Sequence, residues 1–88
     1  MNDRQIAMAR HALGLTTQKR SYRNRYFLQS LVGNDDFALW VEMVAAGHAS
    51  RGEQGGSMQC FHLTRDGAEA VLLPGETLDP EDFPEVRA

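Results

Sequence analysis

The clearest periodic apolar run in this sequence lies between residues 35 and 47, and the rest of the chain has to be arranged around it. Phe37, Trp40, Val41 and Val44 fall at i, i+3, i+4 and i+7, so a helix carries all four on one face. Gly33 and Asn34 break the chain before it, Asp35 and Asp36 set negative charge where the macrodipole favours it, and Gly47 ends it. A helix over 35–46 with one apolar face is stable only when a second layer covers that face. Fully burying such a side chain is worth about 1.5–3 kcal/mol before cavity effects, so truncation of Trp40 is expected to be among the most damaging single changes.

In a chain of 88 residues that second layer has to come from short segments on either side. A chain this size buries about 60–65% of its unfolded surface and forms one modest core of roughly 12 Å radius of gyration. Asn2 is placed to cap a first helix and Gln5 to reciprocate; Ile6, Ala9 and Leu13, widened by Met8 and Ala12, give its apolar stripe, and Gly14 its left-handed stop. Leu15 to Ser21 is polar and aperiodic, a connector. Tyr22 to Leu28 is aromatic-rich and favours an extended strand over a helical turn. After Gly47, the segments His48–Arg51 and Ser57–Leu63 flank Gly52-Glu53-Gln54-Gly55-Gly56 and are expected to pair as a β-hairpin. Thr64 caps a last helix from Arg65 to about Leu72, and Pro74 stops it. Gly75 to Ala88 holds Glu76, Asp79, Glu81, Asp82 and Glu85 with two prolines, a mobile or loosely docked acidic tail. The expected fold is α+β: helix, extended segment, helix, β-hairpin, helix, with one domain over 1–74 and the tail over 75–88.

Charge is distributed unevenly along this order. Residues 1–32 carry six Lys and Arg against Asp3 alone, a net of +5, whereas residues 33–88 carry three Arg against eleven carboxylates, a net of -8. The overall -3 is the difference between these two opposed ends. Lys19, Arg20, Arg23 and Arg25 fall in one short stretch with Tyr22 and Tyr26 among them, a composition suited to acidic surfaces or to phosphate contact with ring stacking. With Arg51 from the hairpin, these residues form the candidate contact patch. The bland alternative is a solvated strand whose Tyr26, Phe27 and Leu28 pack inward while the arginines face water. The acidic tail is a further candidate occupant, either by internal docking or by weak head-to-tail self-association that salt would loosen.

Other chemistry is poorly supplied. Cys60 is the only cysteine, so no internal disulfide forms. If the hairpin loop is Gly52 to Gly56, His48 falls opposite Cys60, with His62 on the same strand face, and the three could converge on zinc; a fourth ligand and any paired-ligand motif are missing, so no metal is expected. Cys60 and His62 as nucleophile and base stand roughly 6.5–7 Å apart along a strand with no evident orienting group. Gly52 to Gly56 lacks the Lys and Ser or Thr of a phosphate loop. No cofactor and no enzymatic activity are expected. The apolar runs are far short of the roughly 18 residues of a spanning helix, and the Met1-Asn2-Asp3-Arg4 start has no signal-like apolar stretch behind it, which places the chain in the cytoplasm with no membrane partner.

The run from Val44-Ala45-Ala46-Gly47-His48 to Phe61-His62-Leu63-Thr64-Arg65-Asp66-Gly67 resembles the second half of a winged-helix domain. There a helix ending near a glycine feeds a two-stranded wing, and the returning strand closes on Leu-Thr-x-x-Gly before a further helix. The match is Leu63-Thr64-Arg65-Asp66-Gly67, with Thr64 as cap and Gly67 allowing helix and strand to approach closely. Over about residues 8–72, with Arg10-His11-Ala12-Leu13-Gly14-Leu15 and Tyr22-Arg23-Asn24-Arg25-Tyr26-Phe27, the chain is similar to short uncharacterised proteins of bacteriophages and prophages. The resemblance implies a winged-helix-like arrangement in a host cell and carries no assigned activity. The chain departs from winged-helix DNA binders in the helix before the wing, which bears Asp35, Asp36 and Glu42 and no basic residue. One early helix also lacks a counterpart unless Tyr22 to Leu31 provides it. The function expected is therefore non-enzymatic binding to a protein partner, with low-specificity DNA binding through Lys19 to Arg25 and Arg51 as the alternative.

Overall fold

The computed structural model describes residues 1–29 and 35–83; the Gly33-Asn34 break and the last five residues of the acidic tail, including Glu85 and Arg87, lie outside the described residues. The first helix, α1 (Asp3–Leu13), begins with a complete capping box: the Asn2 side chain accepts from the Gln5 N–H at 2.8 Å, and Gln5 Oε1 accepts from the Asn2 N–H at 2.8 Å. Gly14 ends it in the left-handed region at φ 79, where a Cβ would also collide with the Tyr22 ring. Met8, Ala9, Ala12 and Leu13 are buried, and Ile6 packs against them. Leu15, expected as part of a polar connector, is buried in the same cluster.

The next strand, β1 (Tyr26–Gln29), is shorter than the expected extended segment. The reason lies in Asn24, whose side-chain amide donates to the Leu63 carbonyl at 3.0 Å and accepts from the Leu63 N–H at 2.8 Å. A side chain there takes the place of backbone partners. No helix occurs among residues 14–29, so the described part of Tyr22 to Leu31 supplies no extra helix.

Helix α2 (Asp35–Ala45) is rotated relative to the expected stripe. Trp40 and Met43 are its buried residues, with Phe37, Leu39 and Val44 partly buried against the core, while Val41 is only half-buried and stands outside that cluster. Trp40 is fully buried between two rings, 5.2 Å from the Tyr26 centroid and 5.4 Å from that of Phe61.

The hairpin is longer and tighter than expected. Strand β2 (Ala49–Gly55) and strand β3 (Met58–Leu63) are joined by Gly56-Ser57, with Gly56 at φ 58 as the first residue of a two-residue turn. The ladder pairs Arg51 with Phe61 and Gln54 with Gln59, so Gly52 and Glu53 together oppose Cys60, a β-bulge. Strand β1 pairs along the other side of β3, giving a three-stranded antiparallel sheet ordered β1-β3-β2. Helix α3 (Arg65–Ala70) starts at Thr64, whose hydroxyl accepts from the Gly67 N–H at 3.2 Å and donates to the Gly47 carbonyl at 2.7 Å. It stops short of Leu72. A Cβ on Gly67 would overlap the His48 carbonyl, so the expected close approach there is present.

Residues of all three helices join Tyr26, Leu28, Ala49, Phe61 and Leu63 in one core, which covers one face of the sheet. The segment beyond Pro74, expected as a tail, is laid against this body as far as it is described. Thr77 forms a parallel bridge with Arg20, the Asp79 N–H donates to the Ser21 hydroxyl at 2.8 Å, and Phe83 is buried in the core. Arg65 holds the Phe83 carbonyl at 2.7 Å. Among the described residues no helix is long and apolar enough to cross a membrane.

Candidate functional site

The structure separates the seven residues of the candidate patch. Lys19 and Arg20 lie beside the segment 77–79: the Lys19 carbonyl accepts from the Thr77 N–H at 2.9 Å, and the Arg20 guanidinium stands 3.7 Å from Asp79. Tyr26 turns into the core against Trp40. Arg51 leans over the Phe37 and Phe61 rings at 5.5 and 6.0 Å, on the helix-covered side of the sheet. Tyr22, Arg23 and Arg25 remain together, lining one cleft with Asn24 and His62. Arg23 sits 5.3 Å over the exposed Tyr22 ring and donates at 2.7 Å to the His11 carbonyl near the end of α1, which also accepts from the Gly14 N–H at 3.1 Å. The Arg25 side chain is exposed and makes no hydrogen bond or ion pair with the described residues.

The face of the sheet away from the helices carries a feature that the sequence reading missed. Phe27 was expected inside with Tyr26 and Leu28, but successive strand residues point to opposite faces, and Phe27 is 57% exposed. It stands opposite Cys60 in the ladder, with Met58 and His62 on the same side of β3. These residues and Arg25 line an open cleft of about 590 Å³, with Gly52, Glu53 and Gly55 of the bulged strand along its other side. A second cleft of about 330 Å³ adjoins it, shares Arg25 and Phe27, and adds His11 and Arg23. The alternation that exposes Phe27 is present in the sequence. What hid it was treating three consecutive aromatic and apolar residues as one inward block.

The zinc geometry considered for His48, Cys60 and His62 required His48 opposite Cys60. The two-residue turn at Gly56-Ser57 moves the register, and with the one-residue bulge Ala49 pairs with Leu63 and the His48 carbonyl accepts from the Thr64 N–H at 3.0 Å. Among the described residues no three His, Cys, Asp or Glu side chains gather to hold a metal. Cys60 and His62 do meet, however. Their side chains lean together to 3.8 Å between Sγ and Nε2, well inside the backbone spacing, and the His62 Nδ1 lies 2.6 Å from the Asn24 carbonyl oxygen.

Electrostatics tie the acidic segment to the first helix. The Arg10 guanidinium makes a two-pronged contact with Glu76 at 2.5 and 2.6 Å, in a setting where the Glu76 side chain is 8% exposed. Hydrogen bonds from Arg10 outweigh the desolvation and hold the Glu76 carboxyl down at about 2. Arg4 similarly lowers Asp36 through a side-chain hydrogen bond, joining α1 to the start of α2 at the surface. The basic first third is therefore partly answered from within the chain, by Asp36, Glu76 and Asp79, while Lys19, Arg23 and Arg25 form no ion pair among the described residues. Compared with protein families, curated proteins and solved structures, the chain matches none.

Proposed function

We propose that this chain is a non-enzymatic protein-binding module of the phage and prophage type, acting in the host cytoplasm, and that it binds acidic segments carrying an apolar anchor. The observation that carries this is Phe27, a large apolar side chain 57% exposed on the face of the sheet away from the helices, beside Arg25, whose side chain has no partner among the described residues. Met58, 37% exposed, extends the apolar floor. Arg25 and Arg23 supply cations along its edge for carboxylates of the partner. A winged-helix-like arrangement is part of the proposal, supported by the order of α2, two-stranded hairpin and Thr64-capped helix.

Direct DNA binding ranks second. Arg20 is set against Asp79 and Arg51 against aromatic rings, so Lys19 to Arg25 and Arg51 do not form one cationic track, and α2 presents two carboxylates in its first turn and no basic residue in its last. Peptides selected from a random display library on the intact protein test the primary reading. The expected winners combine Asp or Glu with an aromatic or aliphatic anchor, and lose binding to Phe27→Ala and Arg25→Glu. Winners that bind both variants as well as the wild type would contradict it. Retention on duplex DNA at low salt that Arg25→Glu abolishes would favour the second reading.

A further inference from the structure

We propose that Cys60 is a covalent modification site, a thiol that His62 deprotonates and that exchanges with small carboxylate-bearing disulfides entering the cleft on the open sheet face. The inference does not rest on the peptide-binding proposal, although both use the same face.

The orientation of His62 supplies the first step. A carbonyl oxygen can only accept, so the 2.6 Å contact with the Asn24 carbonyl places the imidazole proton on Nδ1. Neutral imidazole then has its lone pair on Nε2, the atom that faces the Cys60 Sγ at 3.8 Å. Nucleophile, base and an orienting third group thus stand in line, the arrangement that activates a thiol. The other acceptor within reach of the thiol is the Phe61 carbonyl at 3.8 Å, which cannot take up the proton as a base. Local backbone makes room for this geometry. A Cβ on Gly52 would lie 2.6 Å from the His62 Nε2, so the glycine at the bulge leaves the ring its place. The Gln59 amide pins the bulge by donating to both the Gly52 and Cys60 carbonyls at 2.9 Å.

Access and selectivity come from the cleft. Cys60 is 6% exposed and lies at its floor, with Phe27 and Met58 alongside, Arg25 at one rim and Glu53 at the other. Asp82 lies near Arg25 and His62 in the neighbouring cleft. Arg25, with no described partner, is the group that selects a carboxylate on the incoming molecule. In the reaction the thiol proton passes to Nε2, Sγ attacks one sulfur of the disulfide, and the disulfide S–S bond breaks as the Cys60 mixed disulfide forms. The departing thiolate takes the proton back from the imidazolium and leaves as a thiol. The exchange is stoichiometric and needs no further oxidant.

Because Cys60 is the only thiol in the chain, mass spectrometry of the intact protein reads the reaction directly. The native chain is mixed with glutathione disulfide, which carries carboxylates, or with cystamine, a cationic disulfide of the same reactivity class. One adduct is expected, forming faster with glutathione disulfide, and Arg25→Glu reverses that preference. His62→Gln slows both reactions, on the order of a hundredfold, the scale of a lost general base. Gly52→Ala slows them through displacement of the ring alone, with circular dichroism showing both variants folded. The proposal fails if the native protein forms no adduct while the denatured chain does, or if folded His62→Gln and Gly52→Ala react within about twofold of wild type.

Discussion

Trp40 links the sequence to the core more directly than any other residue. Its ring is fully buried and lies between Tyr26 and Phe61, yet its indole Nε1 is buried without a hydrogen-bond partner among the described residues. Trp40→Ala is expected to cost about 3–5 kcal/mol, whereas Trp40→Phe keeps an aromatic layer and removes an unpaired donor, so its loss should be markedly smaller. Urea denaturation of the two variants compares them directly. The Arg10–Glu76 pair gives a prediction of a different kind. Because the Glu76 carboxyl titrates at about 2 when folded, against its ordinary 4.5, its stabilisation is fully present above the ordinary range and is lost as pH falls towards 2. Melting temperature of the wild type should fall more steeply over that window than that of Glu76→Gln, which at neutral pH is already weakened by about 1.5–3 kcal/mol. Parallel curves for the two proteins would show that the pair contributes nothing through ionisation. The sequence showed Trp40 because a helical period marks it. It did not show Glu76, since a carboxylate in a Pro- and Gly-punctuated acidic stretch looks solvated until the partner from another element is known.

At the scale of elements, helix ends were legible and strand details were not. The Asn2 and Gln5 capping box, the Gly14 stop and the Thr64 cap are local chemistry, decided within a few residues, and each is present as the spacing requires. The facing of α2 was displaced because Met43 and Leu39, left out of the apolar stripe, take positions that Val41 was expected to hold. The hairpin register depended on the turn falling at Gly56-Ser57 within the glycine stretch and on a bulge of one extra residue in β2, neither of which a pattern of apolar residues marks. The turn position removed His48 from Cys60, and the bulged stretch leaves Gly52 beside His62. Where β1 begins is likewise a side-chain matter, because the Asn24 amide substitutes for a strand partner at Leu63. Asn24→Ala should therefore cost about 2 kcal/mol, leaving two backbone groups of Leu63 without that partner, and should raise amide exchange at the Leu63 end of β3 more than at the Met58 end. Uniform exchange along β3 would argue that the substitution acts elsewhere.

For the whole molecule, the uneven charge seen along the chain resolves into an internal arrangement. The acidic segment, as far as Phe83, is held to the basic first third through Arg10, Arg20 and the bridge at Thr77, and it packs on the body rather than leaving it. Among the described residues, what that pairing does not use is the face of the sheet away from the helices. Three helices cover the side bearing Phe61 and Leu63, and a three-stranded sheet has one other side, here bearing Phe27, Met58 and Cys60 with Arg25 at the rim. The proposed contact patch accordingly differs from the run of residues adjacent in sequence: it is a surface assembled from Arg25, β1 and the hairpin, which only the register could bring together. The central claim is that this face is where a partner docks. It is tested most directly by titrating the nitrogen-labelled chain with a short peptide alternating glutamate and phenylalanine and mapping amide shifts. The account predicts saturable shifts concentrated at Arg25, Phe27, Met58 and Cys60; shifts confined to Lys19, Arg20 and Arg51, or none at saturating peptide, would contradict it.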